Sequence, residues 1–493
     1  MRGVLFALAW TLSCGSPPAV RPPTPVTSAS ANLSAPAPDP DAWRNQQPKP
    51  GAAALPEFPA PETVRLDNGL SIYVVKRAAP VATLSLVIRH GAASAPEGKS
   101  GLAALTARML AEGTQRHSQQ ELAEASENLG ATLETGATRD ESHLELETLS
   151  ADVPQGLALL AEVALSPAFR ERDFSRVRDE WLDAVKSDRK DPPRLAVLVA
   201  LRALFGLQAG ASVNGSVPDV EKLTARELAA FHRQAYVPSN MALIVVGDLT
   251  LADVRAHAER LFGRVKGAPF APPTAEPTPR VPEKVRVLVV DRKDSVQSSL
   301  VALQPLPKRS APDYEKRALL GTVIGGLFTS RLNLNLREEH AYTYGAGGQV
   351  LGTRLWGAYL VSTDVKTENT ADALHELISE LERAHDPKRA PIRDDEADRA
   401  RNALIHALGA SLEHTSEVAD AIRTTFVHEL KPDYYARYPK LIEGISTAEI
   451  GKQTALLQPE HLLVVIVGDR SAIEPGLRQR GFELEAADPT LLE

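Results

Sequence analysis

The sequence predicts an α+β protein made of two tandem homologous domains, each a mixed or antiparallel β-sheet packed with helices on one face. Three observations carry this reading. A nearly all-apolar run that leaves through Gly-Asp occurs twice, as Met241–Asp248 and Leu462–Asp469. The Gly-Asp exits lie 468 − 247 = 221 residues apart and Arg331 lies 331 − 108 = 223 residues after Arg108. One offset therefore fits both ends of a unit of about 210 residues. A proline cluster from Pro269 to Pro282 separates the copies.

Taken in order, residues 1–14 form a signal segment. A single positive charge, Arg2, precedes the apolar run Val4–Leu12, which is too short to span a bilayer of about 30 Å. Cys14, the only cysteine in 493 residues, follows at once. That count removes any intrachain disulfide and any thiolate metal site. Residues 15–60 are a Pro/Ala/Ser-rich tether, with 13 of the 37 prolines falling between Pro17 and Pro61. The first domain occupies 61–266, a Pro-rich linker 267–283, the second domain 284–480 and a tail 481–493.

Within the first domain, β-rich runs on either side of Asp67-Asn68-Gly69 predict a hairpin, and Thr83–Ile88 a further strand. Helical spacing begins at Gly101 and recurs near 118–130, 155–165, 171–189, 193–206 and 224–235. In the second domain Val285–Val290 and Ser299–Leu303 read as strands and 313–336 as one helix. Net charge is 55 − 63 = −8, so the basic field that binds nucleic acid is absent. No GxSxG elbow occurs, and Gly345-Ala346-Gly347-Gly348 lacks the Lys-Ser/Thr of a phosphate loop. Those glycines suit close backbone approach, as by a peptide adding to a sheet edge.

Several segments together resemble the insulinase/pitrilysin family of zinc metallopeptidases, in its short bacterial, mitochondrial-processing-peptidase-like branch. They are Leu66–Leu70, Gly101–Thr114, Tyr236–Asn240 before the Val-Gly-Asp strand, and Ser330-Arg331-Leu332 ahead of Arg337. The resemblance covers about residues 60–480. Peptide-cleaving members carry H-x-x-E-H in the first helix, where two histidines one turn apart hold zinc and the Glu activates its water. Aligned on Gly101-Leu102-Ala103 and Gly113-Thr114, the two ligand positions here hold Ala104 and Arg108, and the base position holds Ala107. A permanently charged guanidinium repels a divalent cation. None of the twelve histidines has another four residues away, and the closest pair, His406 and His414, is eight apart. Glu180 and Asp183, where the family's third ligand falls, read as a solvated helix face.

The resemblance also implies a substrate-binding pair, an Arg ending a helix and a Tyr on the next strand with six residues between them, which Arg337 and Tyr344 match. In the family such an Arg bonds a substrate carbonyl, and the Tyr hydroxyl meets the oxyanion of the transition state. Alternation places Tyr342 and Tyr344 on one strand face. Ser13-Cys14-Gly15 is similar to a lipoprotein box, implying lipidation at Cys14 and an outer-membrane-anchored periplasmic protein. The expectation is thus a chain that binds no metal itself, the substrate-binding subunit of a heterodimeric metalloendopeptidase whose homologous partner carries the zinc. The alternative is a pseudopeptidase with a structural or peptide-binding role, as in the non-catalytic core subunits of the respiratory cytochrome complex.

Overall fold

Apolar, β-branched runs form strands where the sequence places them. β1 (Glu62–Arg65) and β2 (Ser71–Lys76) pair antiparallel around Gly69, whose φ of 95° suits glycine. The computed structural model describes Asp41, Arg44, residues 55–268 and residues 270–493. The expected signal segment, Cys14 and nearly all of the expected tether lie outside those residues. Residues 55–493 form one unit holding both copies. Among the described residues no helix is long and apolar enough to cross a membrane.

After β2 the first copy continues through β3 (Val81–Ile88), α1 (Leu102–Leu110), α2 (Gln119–Asn128), β4 (Thr132–Ala137) and β5 (Ser142–Leu149). Helices α3 (Val153–Leu165), α4 (Glu171–Asp188), α5 (Pro192–Ala209), α6 (Val217–Lys222) and α7 (Ala225–Ala235) follow. The copy closes with β6 (Met241–Gly247) and α8 (Leu251–Phe262). The second begins with β7 (Arg286–Asp291), β8 (Gln297–Leu306), α9 (Tyr314–Gly321) and α10 (Arg331–Asn333). Next come β9 (Thr343–Gly352), β10 (Gly357–Lys366), α11 (Thr370–His385), α12 (Asp394–Ala410) and α13 (Thr415–Val427). Last are α14 (Tyr434–Glu443), α15 (Thr447–Lys452), β11 (Leu463–Gly468), α16 (Arg470–Gln479), β12 (Leu484–Ala486) and α17 (Pro489–Leu492).

The sheets repeat strand for strand. Their orders are β1-β2-β6-β3-β5-β4 and β12-β7-β11-β8-β10-β9. In both, the Gly-Asp strand lies parallel to one neighbour and antiparallel to the other: β6 between β2 and β3, β11 between β7 and β8. Only the outer strand differs. The first sheet takes it from the hairpin, whereas the second takes β12 from the segment expected as a tail.

Helices cover both faces of each sheet, not one, and the second cover comes from the other copy. Ala196, Val199, Ala203 and Leu204 of α5 pack on Val301, Leu303, Val465 and Val467 of the second sheet. Val418, Ala419 and Ile422 of α13 pack on Val87, Ala242, Ile244 and Val246 of the first. This exchange explains why every residue of β6 and β11 is apolar or glycine and buried: a strand with water on neither side has no position for a polar side chain. The described residues of the linker 267–283 form no helix or strand, but they are pinned. The Phe270 carbonyl accepts from Asn240 Nδ2 at 3.0 Å, and the Arg280 amide donates to the Leu204 carbonyl at 2.7 Å.

The helix expected over 313–336 is broken. α9 widens into a π-helical turn at Thr322–Gly326, Leu327–Ser330 leave the helical path, and α10 widens again into a π-helical turn at Leu334–Glu339. Gly325 accounts for the break. A Cβ there would lie 2.5 Å from the Gly348 backbone, so this segment approaches β9 more closely than a regular helix with side chains allows.

Candidate functional site

The helix that carries the damaged motif begins at Gly101, with φ of 91° and a Cβ position only 2.8 Å from the Asn214 carbonyl oxygen. No other residue fits there. Ala104 and Ala107 are buried in the packing of α1. Arg108 instead turns to Glu112, whose carboxylate is buried with 1 % of its side chain exposed, and Arg176 of α4 bonds the other oxygen of that carboxylate. Arg176 also bonds Glu180 at 2.9 Å. An Arg108–Glu112–Arg176–Glu180 ladder thus joins α1 to α4 where the family would place a metal. This donor set does not fit zinc: no imidazole is present, and both carboxylates are bound to guanidinium groups. Glu180 and Asp183 both lie on the solvated face expected of them, and Glu180 forms the exposed end of the ladder.

The buried histidines are structural. His90 stacks on Phe270 with centroids 4.6 Å apart, and its Nε2 lies 2.8 Å from the Phe270 carbonyl oxygen. His232 Nε2 lies 2.8 Å from the Ala164 carbonyl oxygen. Burial lowers both to about 4, so both rings are neutral at pH 7. Among the described residues no group of three His, Cys, Asp or Glu side chains could hold a metal ion.

Arg337 and Tyr344 sit in irregular backbone. Arg337 lies in the second π-helical turn, a geometry frequent at functional sites. Its guanidinium stacks 4.0 Å from the centroid of the Phe328 ring and bonds Glu338 at 2.5 Å, with a third of the side chain exposed. Tyr344 lies in a β-bulge. Thr343 pairs with Val365 and Ala346 with Thr363, so two residues, Tyr344 and Gly345, oppose the single residue Asp364. A bulge re-aims side chains, and Tyr344 is 92 % exposed. The alternation expected for Tyr342 and Tyr344 fails for this reason: Tyr342 precedes β9 and packs against the core of its half, while the bulge turns Tyr344 outward.

Asn333 ties this region together. Its Nδ2 donates to the Phe328 carbonyl at 2.5 Å and its Oδ1 accepts from the Ala346 amide at 3.1 Å. Thr363 Oγ1 adds a bond to the Gly345 carbonyl at 3.1 Å. Arg331 is an internal anchor, bound to Glu396 and to the carbonyls of Ala390 and Pro391. Arg337 and Tyr344 therefore share one loop–strand corner, with no hydrogen bond between their side chains. Sequence reasoning missed Phe328 and Asn333, because their partners, Arg337 and Ala346, lie nine and thirteen residues away in irregular backbone.

Two family models match the chain, the second beginning within the first copy and running into the second. Residues 72–204 match the model described as Insulinase (Peptidase family M16), and residues 222–404 match Peptidase M16 inactive domain. The chain is 27 % identical over 377 residues to an uncharacterized zinc protease of Mycobacterium tuberculosis, covering 75 % of this chain and 84 % of that one. It is 24 % identical over 413 residues to the mitochondrial-processing peptidase subunit beta of Lentinula edodes, covering 80 % and 86 %. The crystal structure of a peptidase M16 inactive domain from Pseudomonas fluorescens superimposes with a TM-score of 0.76 at 23 % identity, covering 83 % of this chain and 97 % of that one. With two adjoining models of one family matching more than half of its length on a duplicated fold, the chain belongs to the insulinase/pitrilysin family, peptidase family M16.

Proposed function

We propose that this chain is the non-zinc, substrate-binding subunit of a heterodimeric metalloendopeptidase that degrades or processes unfolded peptides in the periplasm, held at the outer membrane by a lipid on Cys14. One contrast carries the reading. The first copy fills its metal position with an ion-pair ladder, while the second presents Arg337 and Tyr344 at an exposed corner built from a π-helical turn and a β-bulge. In this reading Arg337 donates to a substrate carbonyl and the Tyr344 hydroxyl donates to the oxygen that becomes negative during attack. The zinc belongs to a homologous partner subunit.

The purified chain alone is expected to hold no stoichiometric zinc and to leave an unstructured peptide intact. Combined with a zinc-motif homologue encoded beside it, it is expected to give chelator-sensitive cleavage. Arg337→Ala and Tyr344→Phe lower the turnover of that complex at least about tenfold, as loss of a transition-state donor does. Zinc-dependent cleavage by this chain alone overturns the reading. An active complex indifferent to both substitutions reduces the chain to a structural pseudopeptidase.

A further inference from the structure

The helices of the first copy do not close over the whole face of the second sheet. A cavity of 610 Å³ opens where the end of α4 and the first turns of α5 face β8, β9 and β10. Its walls include Val185, Leu198, Leu201, Val213 and Val301, and at the sheet it meets Ser362, Gly345 and Gly347.

The repeated ladders provide an internal control. Thr83 pairs with Val246 and Ser299 with Val467, 467 − 246 = 221 residues on, so Thr83 and Ser299 are equivalent. One strand further out, Glu147 faces Thr83 and Asp364 faces Ser299; each pair is hydrogen-bonded, at 3.3 Å and 2.5 Å. Two residues along, Glu145 in the first sheet corresponds to Ser362 in the second, since they face Ser85 and Val301. Their partners on the edge strands are Glu134 and Gly347. Two long carboxylate side chains in the first copy are thus a serine and a glycine in the second, where the cavity lies.

The fold itself does not ask for these glycines. Neither Gly345 nor Gly347 has a positive φ. A Cβ on Gly347 would meet nothing within 4 Å, and one on Gly345 only Asn333 Oδ1 at 3.8 Å. They leave open the inner side of an edge strand directly after Tyr344. The cavity volume falls within the roughly 300–1,000 Å³ of ligand sites, and its walls are mainly apolar, with Arg139, Asp188, Arg194 and Asp364 among them. Arg189 also lines it, with Nη2 buried and without a hydrogen-bond partner, although the charge of Glu493 reaches the guanidinium.

We infer that this cavity is a subsite for a bulky apolar side chain of an extended peptide running along β9, with Arg189 donating to a peptide carbonyl oxygen. The inference rests on the substrate grip proposed for Arg337 and Tyr344, and it adds a substrate class: unfolded segments bearing an aromatic or large aliphatic residue beside the gripped bond.

Fluorescence anisotropy on the purified chain tests it with two labelled, unstructured peptides of equal length, one containing Phe and Leu, the other Ser at those positions. The apolar peptide is expected to bind about tenfold more tightly. Gly347→Leu and, from the neighbouring strand, Ser362→Leu fill the cavity and bring that ratio close to one. Arg337→Ala weakens both peptides and keeps the ratio. Equal binding of the two peptides, binding of neither, or a ratio that survives both filling variants overturns the subsite. A ratio kept by Arg337→Ala without any weakening upholds the subsite and removes Arg337 from the grip.

Discussion

Replacing Glu112 with Gln tests whether the ion-pair ladder holds α1 against α4. Each Glu112 oxygen accepts from a different guanidinium, and the carboxylate is almost fully enclosed, whereas 36 % of the Arg108 and 43 % of the Arg176 side chain is exposed. A hydrogen bond to a charged group contributes about 1.5–3 kcal/mol, and removing one member of a fully buried pair costs about 3–5 kcal/mol. Here the stranded arginines reach water, which offsets part of that cost, so about 2–3 kcal/mol is expected. Glu180→Gln, at the exposed end of the same ladder, is expected to cost less than about 1 kcal/mol. Urea unfolding of the purified chain, followed by tryptophan fluorescence, measures both. EDTA is expected to leave the midpoint of the native chain unchanged, because the ladder joins these helices without metal. Equal costs for Glu112→Gln and Glu180→Gln would refute the reasoning, since the buried carboxylate would then do no more than a surface one.

Two further outcomes follow from the same reasoning about burial and backbone. Glu145, on the face of β5 that meets α13, is raised from 4.5 to about 7 by burial and by Asp420 and Glu147, against the opposing effect of Arg423 and His143. A raised carboxyl favours the protonated folded state, so its destabilising effect grows as pH rises from 4.5 through 7, by about 1–2 kcal/mol after allowance for its partial exposure. Glu145→Gln should therefore raise the thermal midpoint at pH 8 and leave it unchanged at pH 5, and equal shifts at both would exclude this cause. Ala341, which ends the Arg337 turn, holds φ at 53°, a left-handed conformation that costs a residue with a Cβ about 1 kcal/mol. Ala341→Gly is expected to stabilise the chain by about 0.5 kcal/mol net of the greater freedom of glycine when unfolded, and a loss of stability in urea would contradict it.

What could be read from the sequence was whatever local chemistry decides. The Asp67–Gly69 turn, the two Gly-Asp strands and the 221-residue offset all survive in the structure, because turn residues and uninterrupted apolar runs act within a few residues of themselves. The β4–β5 hairpin escaped notice because its outward positions carry Glu134, Glu145 and Glu147, which make it look like a solvated segment until α13 is laid against it. The exchange of α5 and α13 between copies was equally hidden, since their apolar content states that they are buried but not by which sheet. The bulge at Tyr344 depends on the register of β10, some twenty residues downstream, and the break before Arg337 on the close approach of Gly325 to Gly348. The zinc-motif positions were legible by alignment, yet Glu112 was not, because its importance comes from Arg176 on another helix.

The ladder and the cavity share one element, and that connection bears on how the two copies divide their roles. Arg176 and Glu180 occupy the middle of α4, while Val185 and Arg189 stand at its end against the cavity. At 1.5 Å per residue, Glu180 and Val185 are about 7.5 Å apart along the helix. A chain that lost the metal without replacing the cross-link would leave this end of α4 held by apolar packing alone, and the cavity wall would move with it. The ladder fastens α4 to α1 through side chains alone, which supports the proposed reading of the first copy as a rigid frame. The exchange of α5 then carries that rigidity onto the second sheet, whose edge bears Arg337, Tyr344 and the glycines. On the function proposed above, the altered motif becomes part of the frame that positions the proposed peptide-binding edge.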